Sequence, residues 1–149
     1  MLRILCVDDN EDTCELISLM LRMEDTSYQV ETAGNAARAM ELAFAQPYDL
    51  YLLDLWMPDI DGLELCRWIK ERNPATPVVF FSASGAERDK RLGLDSGADE
   101  YLLKPNDFER LTQVVRTLIS RPTDGVPSAA VMERTGSETA GSSKIDKSR

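Results

Sequence analysis

Five polar side chains at four places in the sequence could together accept a phosphoryl group. Asp8 and Asp9 follow an apolar run near the N-terminus, and Asp54 ends a second apolar run. Ser82 and Lys104 follow two later runs. Oxygen ligands without histidine or cysteine suit Mg²⁺ or Mn²⁺. A carboxylate can attack phosphorus while a cation, an ammonium group and a hydroxyl neutralise the phosphoryl oxygens. If these side chains meet, the product would be an aspartyl phosphate.

Each of these residues also has an ordinary structural interpretation when it is taken alone. Asp54 is explained equally well as a helix cap or turn residue, and Asp8 and Asp9 could cap the first helix. Ser82 would be a turn residue at the end of a strand, and Lys104 a solvated surface lysine. The chemical interpretation therefore depends on the elements that position these side chains.

Apolar runs alternate with stretches of helical spacing along most of the chain, which predicts an α/β fold with a mostly parallel sheet and helices on both faces. The carboxyl ends of parallel strands lie at one edge, where such sheets bind ligands. We therefore expect the five polar side chains to converge. The strands are predicted at 2–7, 27–32, 48–54, 77–81 and 99–103, and the helices near 11–23, 37–46, 62–72, 87–96 and 108–120.

Apolar residues at helical spacing mark one face of each of the first two helices. In the first helix they are Leu16, Leu19, Met20 and Met23, and in the second they are Ala37, Met40 and Phe44.

Four motifs resemble those of the response-regulator receiver domain of two-component signalling. They are DD near the start, DLWMPDIDG in the middle, SAS after PVVFF, and EYLLKP near the end. Their order and their placement at strand ends agree with that family over about residues 1–121. The resemblance implies a flavodoxin-like (βα)5 doubly wound parallel sheet with strand order 2-1-3-4-5.

The resemblance also assigns a phosphoacceptor and a metal site. It makes Asp54 the phosphorylated residue and a ligand of Mg²⁺, with Mn²⁺ as a possible substitute. It makes Asp9 a direct ligand of the ion, with Asp8 assisting, often through water. The backbone carbonyl of Trp56 is expected to be a further ligand.

Two more positions match the residues that respond to phosphorylation in this family. Lys104 is expected to bind the phosphoryl group and Ser82 to act as the switch hydroxyl, so both join Asp54 in the catalytic set. Tyr101 matches the switch aromatic residue, whose ring turns inward when Ser82 moves toward the phosphoryl group. The bond from Lys104 to Pro105 is expected to be cis.

The resemblance implies a signalling protein that catalyses only its own phosphorylation and slow dephosphorylation. The donor is expected to be a histidine kinase or a phosphotransfer protein, and the chain's lack of histidine fits a receiver rather than a donor. A downstream protein target is expected to bind the surface of the fourth helix, fifth strand and fifth helix. We expect a monomer or a weak homodimer.

Two residues depart from the family pattern. Asn106 stands where the family usually has phenylalanine, so the start of the last helix is expected to pack differently. Trp56 is bulky, and we hypothesise that its side chain slows the attack of water on the phosphoryl group. The same Trp56 argues against an aspartate-nucleophile phosphatase, which carries a second acid at this position. The sequence DDNED after the first strand argues against a flavodoxin-type nucleotide-binding module.

Composition and charge limit the remaining possibilities. The net charge of −9 falls on residues 1–121, since 122–149 carry equal numbers of acidic and basic groups. We therefore predict no direct binding to nucleic acid, which requires basic patches. No run approaches the ~20 apolar residues of a membrane span, and no signal peptide is recognisable, which predicts a cytoplasmic protein.

The polar composition of residues 122–149 predicts a linker or a disordered tail. A chain ending in such a tail would be a stand-alone receiver, or the receiver fragment of a longer regulator whose output domain is missing. The three cysteines, Cys6, Cys14 and Cys66, fit no zinc motif and are predicted to be reduced, buried thiols.

Overall fold

The computed structural model describes residues 2–120, in which strands and helices alternate along the chain. The predicted tail at 122–149 lies outside the described residues. Among residues 2–120, no helix has the length and apolar character needed to cross a bilayer. The elements are β1 Leu2–Val7, α1 Glu11–Glu24, β2 Tyr28–Ala33, α2 Ala36–Ala45, β3 Leu50–Leu53, α3 Gly62–Arg72, β4 Val78–Ser82, α4 Glu87–Asp95, β5 Glu100–Leu103 and α5 Phe108–Ile119.

The five strands form one parallel sheet in the order β2-β1-β3-β4-β5. This confirms the predicted doubly wound flavodoxin-like fold. The sheet separates two apolar cores, one beneath α1 and α5 and the other beneath α2, α3 and α4. Because helices cover both faces, β3 and β4 are buried along their whole length, which explains why their sequences are continuous apolar runs.

The apolar residues whose spacing predicted α1 do lie on a helix, but three of them face solvent. Leu16, Leu19 and Met23 are 45%, 53% and 77% exposed. The buried face of α1 consists of Cys14, Ile17, Ser18 and Leu21. Both series recur at helical spacing on opposite sides of the helix, so periodicity alone does not decide which side meets the sheet.

The second helix shows a similar difference between the predicted and the observed face. Ala36 and Ala39 are buried against the sheet, whereas Phe44 is 71% exposed. Small side chains let α2 approach the sheet closely, and the Phe44 ring lies 5.1 Å from the guanidinium carbon of Arg72 instead. The spacing of Ala37, Met40 and Phe44 thus identifies the helix but does not mark its buried face.

Hydrogen bonds and close packing hold the loop after β3 against the start of α3. Asp61 caps α3 by accepting a hydrogen bond from the backbone N–H of Glu64. The backbone N–H of Gly62 donates to the carbonyl of Leu55 at 2.7 Å. A β-carbon at Gly62 would lie 2.2 Å from the carbonyl oxygen of Asp54, so only glycine permits this approach.

Replacing Gly62 with alanine tests this close approach. Helix propensity alone predicts a gain of up to ~1 kcal/mol from glycine to alanine in a helix. The contact with the Asp54 carbonyl predicts the opposite, a loss of roughly 1–3 kcal/mol because backbone must move. Urea unfolding measures the sign. Gly34→Ala is the matched control, since no heavy atom lies within 4 Å of its added β-carbon; similar stabilities of the two variants would contradict the packing argument.

Candidate functional site

The carboxyl edge of the sheet gathers the side chains that sequence analysis selected. Asp8 follows β1, Asp54 follows β3, Ser82 ends β4 and Lys104 follows β5. Oxygens of the carboxylates of Asp8, Asp9 and Asp54 all lie within 4.8 Å of one another. The predicted convergence of acids that are distant in the sequence is therefore present in the structure.

Backbone hydrogen bonds extend the sheet one residue beyond the strands and fix these positions. The Asp8 N–H donates to the carbonyl of Ala33 at 3.1 Å, and the Asp54 N–H donates to the carbonyl of Val7 at 2.9 Å. The Lys104 N–H donates to the carbonyl of Ser82 at 2.8 Å. Each side chain thus projects from a backbone held by the neighbouring strand rather than from a free loop.

Lys104 contacts two of the three acids. Its Nζ lies 2.5 Å from Oδ2 of Asp8 and 3.8 Å from Oδ1 of Asp54. The peptide bond from Lys104 to Pro105 is cis, as expected. One ammonium group faces three carboxylates, so the cluster carries excess negative charge when the acids are ionised. A divalent cation would balance that charge.

Burial changes the acidity of the central aspartate. The Asp54 side chain is 14% exposed, and loss of solvation raises its pKa to about 6, while Lys104 opposes this rise and Asp8 adds to it. The charged form of Asp54 is therefore disfavoured in the metal-free protein. A cation bound at the cluster would favour that form again.

The three acids of the cluster differ in their hydrogen bonds. Asp8 is only 4% exposed and uses both carboxylate oxygens, accepting from the backbone N–H of Asn10 and from Lys104. Asp9 is exposed, and its carboxylate has no hydrogen-bond or ion-pair partner within residues 2–120. Asp9 can therefore turn to an incoming cation without losing a bond. The oxygen-only set fits Mg²⁺ or Mn²⁺.

Ser82 and Tyr101 are both connected to Ser84. The backbone N–H of Ser84 donates to Oγ of Ser82 at 3.2 Å, and the Tyr101 hydroxyl donates to the Ser84 carbonyl at 2.8 Å. The Tyr101 side chain is buried, with its ring 6.1 Å from the Phe80 ring. The Tyr101 ring therefore lies inside the fold in this structure.

The structure adds Asp89, one of five consecutive charged residues at 87–91, to the surroundings of the site. Its Oδ2 accepts from Oγ of Ser84 at 2.6 Å and from the indole N–H of Trp56 at 3.4 Å. Asp89 thus links the loop after β3 to the start of α4. Nothing in the sequence distinguishes it from the other charges in that run, because its partners come from other parts of the fold.

Asp59 also has a role that local sequence does not show. Its carboxylate accepts from the backbone N–H groups of Ala36 and Ala37, at 3.4 and 3.0 Å. Asp59 thus caps α2 rather than α3, the helix next to it in the sequence. The Trp56 ring is 50% exposed.

Comparison with known proteins agrees with this fold and site. The sequence profile of the response regulator receiver domain matches residues 4–116. Response regulator ArlR of Staphylococcus epidermidis is 40% identical over 124 residues, 83% of this chain and 55% of that protein. The DNA-binding dual master transcriptional regulator RpaA of Synechocystis is 40% identical over 130 residues, 86% of this chain and 53% of that protein.

Solved structures show the same fold. The BeF3-activated DrrB receiver domain has a TM-score of 0.75 at 28% identity, covering 81% of this chain and 99% of that one. TrrA of Thermotoga maritima, a response regulator in complex with Mg(2+)-BeF, has a TM-score of 0.71 at 34% identity, covering 79% of this chain and 99% of that one.

An α/β sheet with acids and a lysine at its carboxyl edge defines a receiver-type protein. The chain belongs to the response regulator receiver domain family. It spans about half the length of the curated relatives it matches.

Stability at different pH values tests the environment of Asp54. Its pKa of about 6 in the folded protein exceeds the ordinary value of 3.8. The folded state therefore holds more protons between these values, and stability falls as pH rises through that window. In EDTA, we expect Asp54→Asn to be more stable than wild type by about 1 kcal/mol at pH 7.5, after discounting for solvent screening.

The same pair of proteins should have nearly equal stability near pH 3.5, where the carboxyl group is mostly protonated in both states. Urea unfolding at the two pH values measures the difference. An advantage of Asp54→Asn that is the same at both pH values would show that ionisation of Asp54 is not its cause.

Proposed function

We propose that Asp54 accepts a phosphoryl group from a histidine of a kinase or phosphotransfer protein, in a reaction that depends on Mg²⁺. The observation that supports this most directly is the approach of three carboxylates within 4.8 Å, next to the Lys104 ammonium group. Family membership supports the same assignment. In the transfer, an Asp54 oxygen forms the new bond to phosphorus while the phosphorus–nitrogen bond of the donor breaks.

The chain's own residues would hold the cation and the phosphoryl oxygens. Asp9, Asp54 and the Trp56 carbonyl would bind Mg²⁺ directly, and Asp8 would assist while it keeps Lys104 in place. When bound, the ion neutralises developing charge on the phosphoryl oxygens. TrrA, which shares this fold, was solved in complex with Mg(2+)-BeF, and that likeness supports the proposal here.

Lys104 and Ser82 would bind phosphoryl oxygens. The Lys104 Nζ already lies 3.8 Å from Asp54, so it can reach an added phosphoryl group with a small side-chain rotation. Ser82 is 2% exposed and lies on the strand next to that of Asp54. Its hydroxyl would turn from the Ser84 N–H to a phosphoryl oxygen.

Movement of Ser82 would be transmitted through Ser84 to Tyr101 and so to the surface of α4, β5 and α5. The Tyr101 hydroxyl is bound to the Ser84 carbonyl, so a shift of this loop changes the packing of the ring. We propose that a downstream protein reads this surface, and that the domain acts as a monomer or a weak homodimer. Such a switch needs only a local change that favours one of two arrangements.

We further propose that the chain is a cytoplasmic signalling protein, which contacts neither membrane nor nucleic acid directly and acts on no outside substrate. Its catalysis would be limited to its own phosphorylation and dephosphorylation. It is either a stand-alone receiver or the receiver part of a longer regulator, and the 55% coverage of ArlR favours the second possibility.

Chemical phosphorylation tests the proposed site. Incubation with acetyl phosphate and Mg²⁺ is expected to add the mass of one phosphoryl group, and hydroxylamine should remove it because an acyl phosphate is labile to this nucleophile. Intact-mass spectrometry measures both steps. Asp54→Asn should show no adduct, whereas Asp59→Asn, which alters an acid outside the cluster, should be labelled normally. Labelling of Asp54→Asn would disprove the assignment.

The lifetime of the adduct tests the role of Trp56. The indole belongs to the loop that follows Asp54 and bonds to Asp89, and we hypothesise that it restricts the approach of water. We expect Trp56→Ala to lose its phosphoryl group several-fold faster than wild type, where tenfold corresponds to about 1.4 kcal/mol of barrier. Trp68→Ala is the matched control. An equal or longer half-life in Trp56→Ala would refute the hypothesis.

A further inference from the structure

Two of the three cysteines are in contact beside the acid cluster. Cys6 lies on β1 and Cys14 on α1, and their Sγ atoms are 3.8 Å apart. Both are free thiols and both are buried, as the sequence predicted. Oxidation requires that the sulfurs approach each other and that a small oxidant reaches one of them.

A cleft gives access to Cys14. The cleft has a volume of about 320 Å³, and its walls include Cys14, Asp8 and Thr32. Hydrogen peroxide is close in size to two waters, each of which occupies ~30 Å³ in the liquid. The oxidant can therefore enter the cleft beside Cys14, whose Sγ lies 3.8 Å from that of Cys6.

Cys66 provides the contrast within the same chain. It is buried in the opposite core, where its thiol donates to the carbonyl of Ser96 at 3.6 Å. No second cysteine contacts it within residues 2–120. Cys66 has neither a partner sulfur nor a place on the wall of the cleft.

We propose that a peroxide joins Cys6 and Cys14 in an intramolecular disulfide, and that this bond weakens Mg²⁺ binding at the acid cluster. In the first step the Cys14 sulfur attacks a peroxide oxygen, the O–O bond breaks, and a sulfenic acid and one water form. In the second step the Cys6 thiol attacks the sulfenic sulfur and releases a second water. The two thiols lose two electrons, which reduce one peroxide.

The effect on the metal site, which rests on the proposed function, follows from the position of the bond. A disulfide needs its sulfurs about 2.05 Å apart, so from 3.8 Å β1 and the first turn of α1 must approach each other. Asp8 and Asp9 lie between the two cysteines in sequence. Cys14 also loses its contact with the Asp8 carbonyl, now 3.6 Å. Because Mg²⁺ demands near-ideal geometry, this displacement lowers affinity.

Thiol counting tests the disulfide. The full chain is treated with hydrogen peroxide, denatured, and labelled with iodoacetamide. We expect three labels before oxidation, matching the three cysteines, and one label afterwards, on Cys66. Trypsin cleaves after Arg3 and Arg22, so a single peptide carries both joined sulfurs and is lighter by two hydrogens. Dithiothreitol should restore all labels.

Two variants make the result specific. Cys66→Ala should still form the disulfide, and Cys14→Ala should keep the Cys6 label. Retention of all three labels in oxidised wild type would overturn the proposal, as would oxygen addition without a bond or a bond to Cys66.

Magnesium titration by calorimetry tests the coupling with a direct readout of binding. Oxidised protein is expected to bind Mg²⁺ about tenfold more weakly than reduced protein, a typical effect of disturbing groups around metal ligands. Dithiothreitol should restore the affinity, because it reduces a disulfide but not oxidised methionine. Restoration therefore shows that the disulfide causes the loss of affinity. Equal affinities of the two forms would overturn the coupling. Failure of the reduced protein to bind Mg²⁺ would instead refute the proposed function, even if the disulfide forms.

Discussion

The enforced proximity of three carboxylates is the constraint on which the site depends. Asp8, Asp9 and Asp54 crowd one edge of the sheet, where loss of solvation disfavours the charge on Asp54. Lys104 relieves part of the repulsion by contacting Asp8 and Asp54. The remaining negative charge favours a divalent cation at this edge, because a cation would offset the repulsion between the carboxylates.

The sheet maintains this proximity against its electrostatic cost. Backbone N–H groups of Asp8, Asp54 and Lys104 each bond to a neighbouring strand, and the strands themselves are buried between two apolar cores. The free energy of burying those cores thus holds the acids in place. At Gly62 the absence of a side chain lets α3 begin against the Asp54 carbonyl. The packing of α3 and the position of Asp54 therefore depend on the same contact.

The edge that carries the site could be predicted from the sequence, because continuous apolar runs that end in polar residues have one simple explanation in a parallel sheet. The strand order was implied only by the resemblance of four motifs to the receiver family. The faces of α1 and α2 that are buried could not be predicted from the sequence. Leu16 and Leu19 repeat as regularly as Cys14 and Ile17, and Ala39 gives a weaker hydrophobic signal than Phe44 although it is the residue that packs inside. Helical periodicity identifies a helix, but contacts with the rest of the fold select its inner face.

Interactions between elements that are distant in the sequence could not be predicted from it either. Asp89 belongs to a charged run, yet it bonds to Ser84 and Trp56. Cys6 and Cys14 could be predicted to be buried but not to touch, since their contact depends on how α1 packs against β1. Such pairings depend on the orientation of side chains across the fold, and a single sequence carries no direct record of it.

A crystal structure of the protein grown with saturating Mg²⁺ tests the central claim most directly. The account predicts one octahedral ion at the carboxyl edge, with oxygens of Asp9 and Asp54 at about 2.1 Å and Lys104 still in contact with Asp8. An edge without the ion at saturating Mg²⁺, or an ion bound elsewhere, would contradict the claim that these acids form a shared cation site.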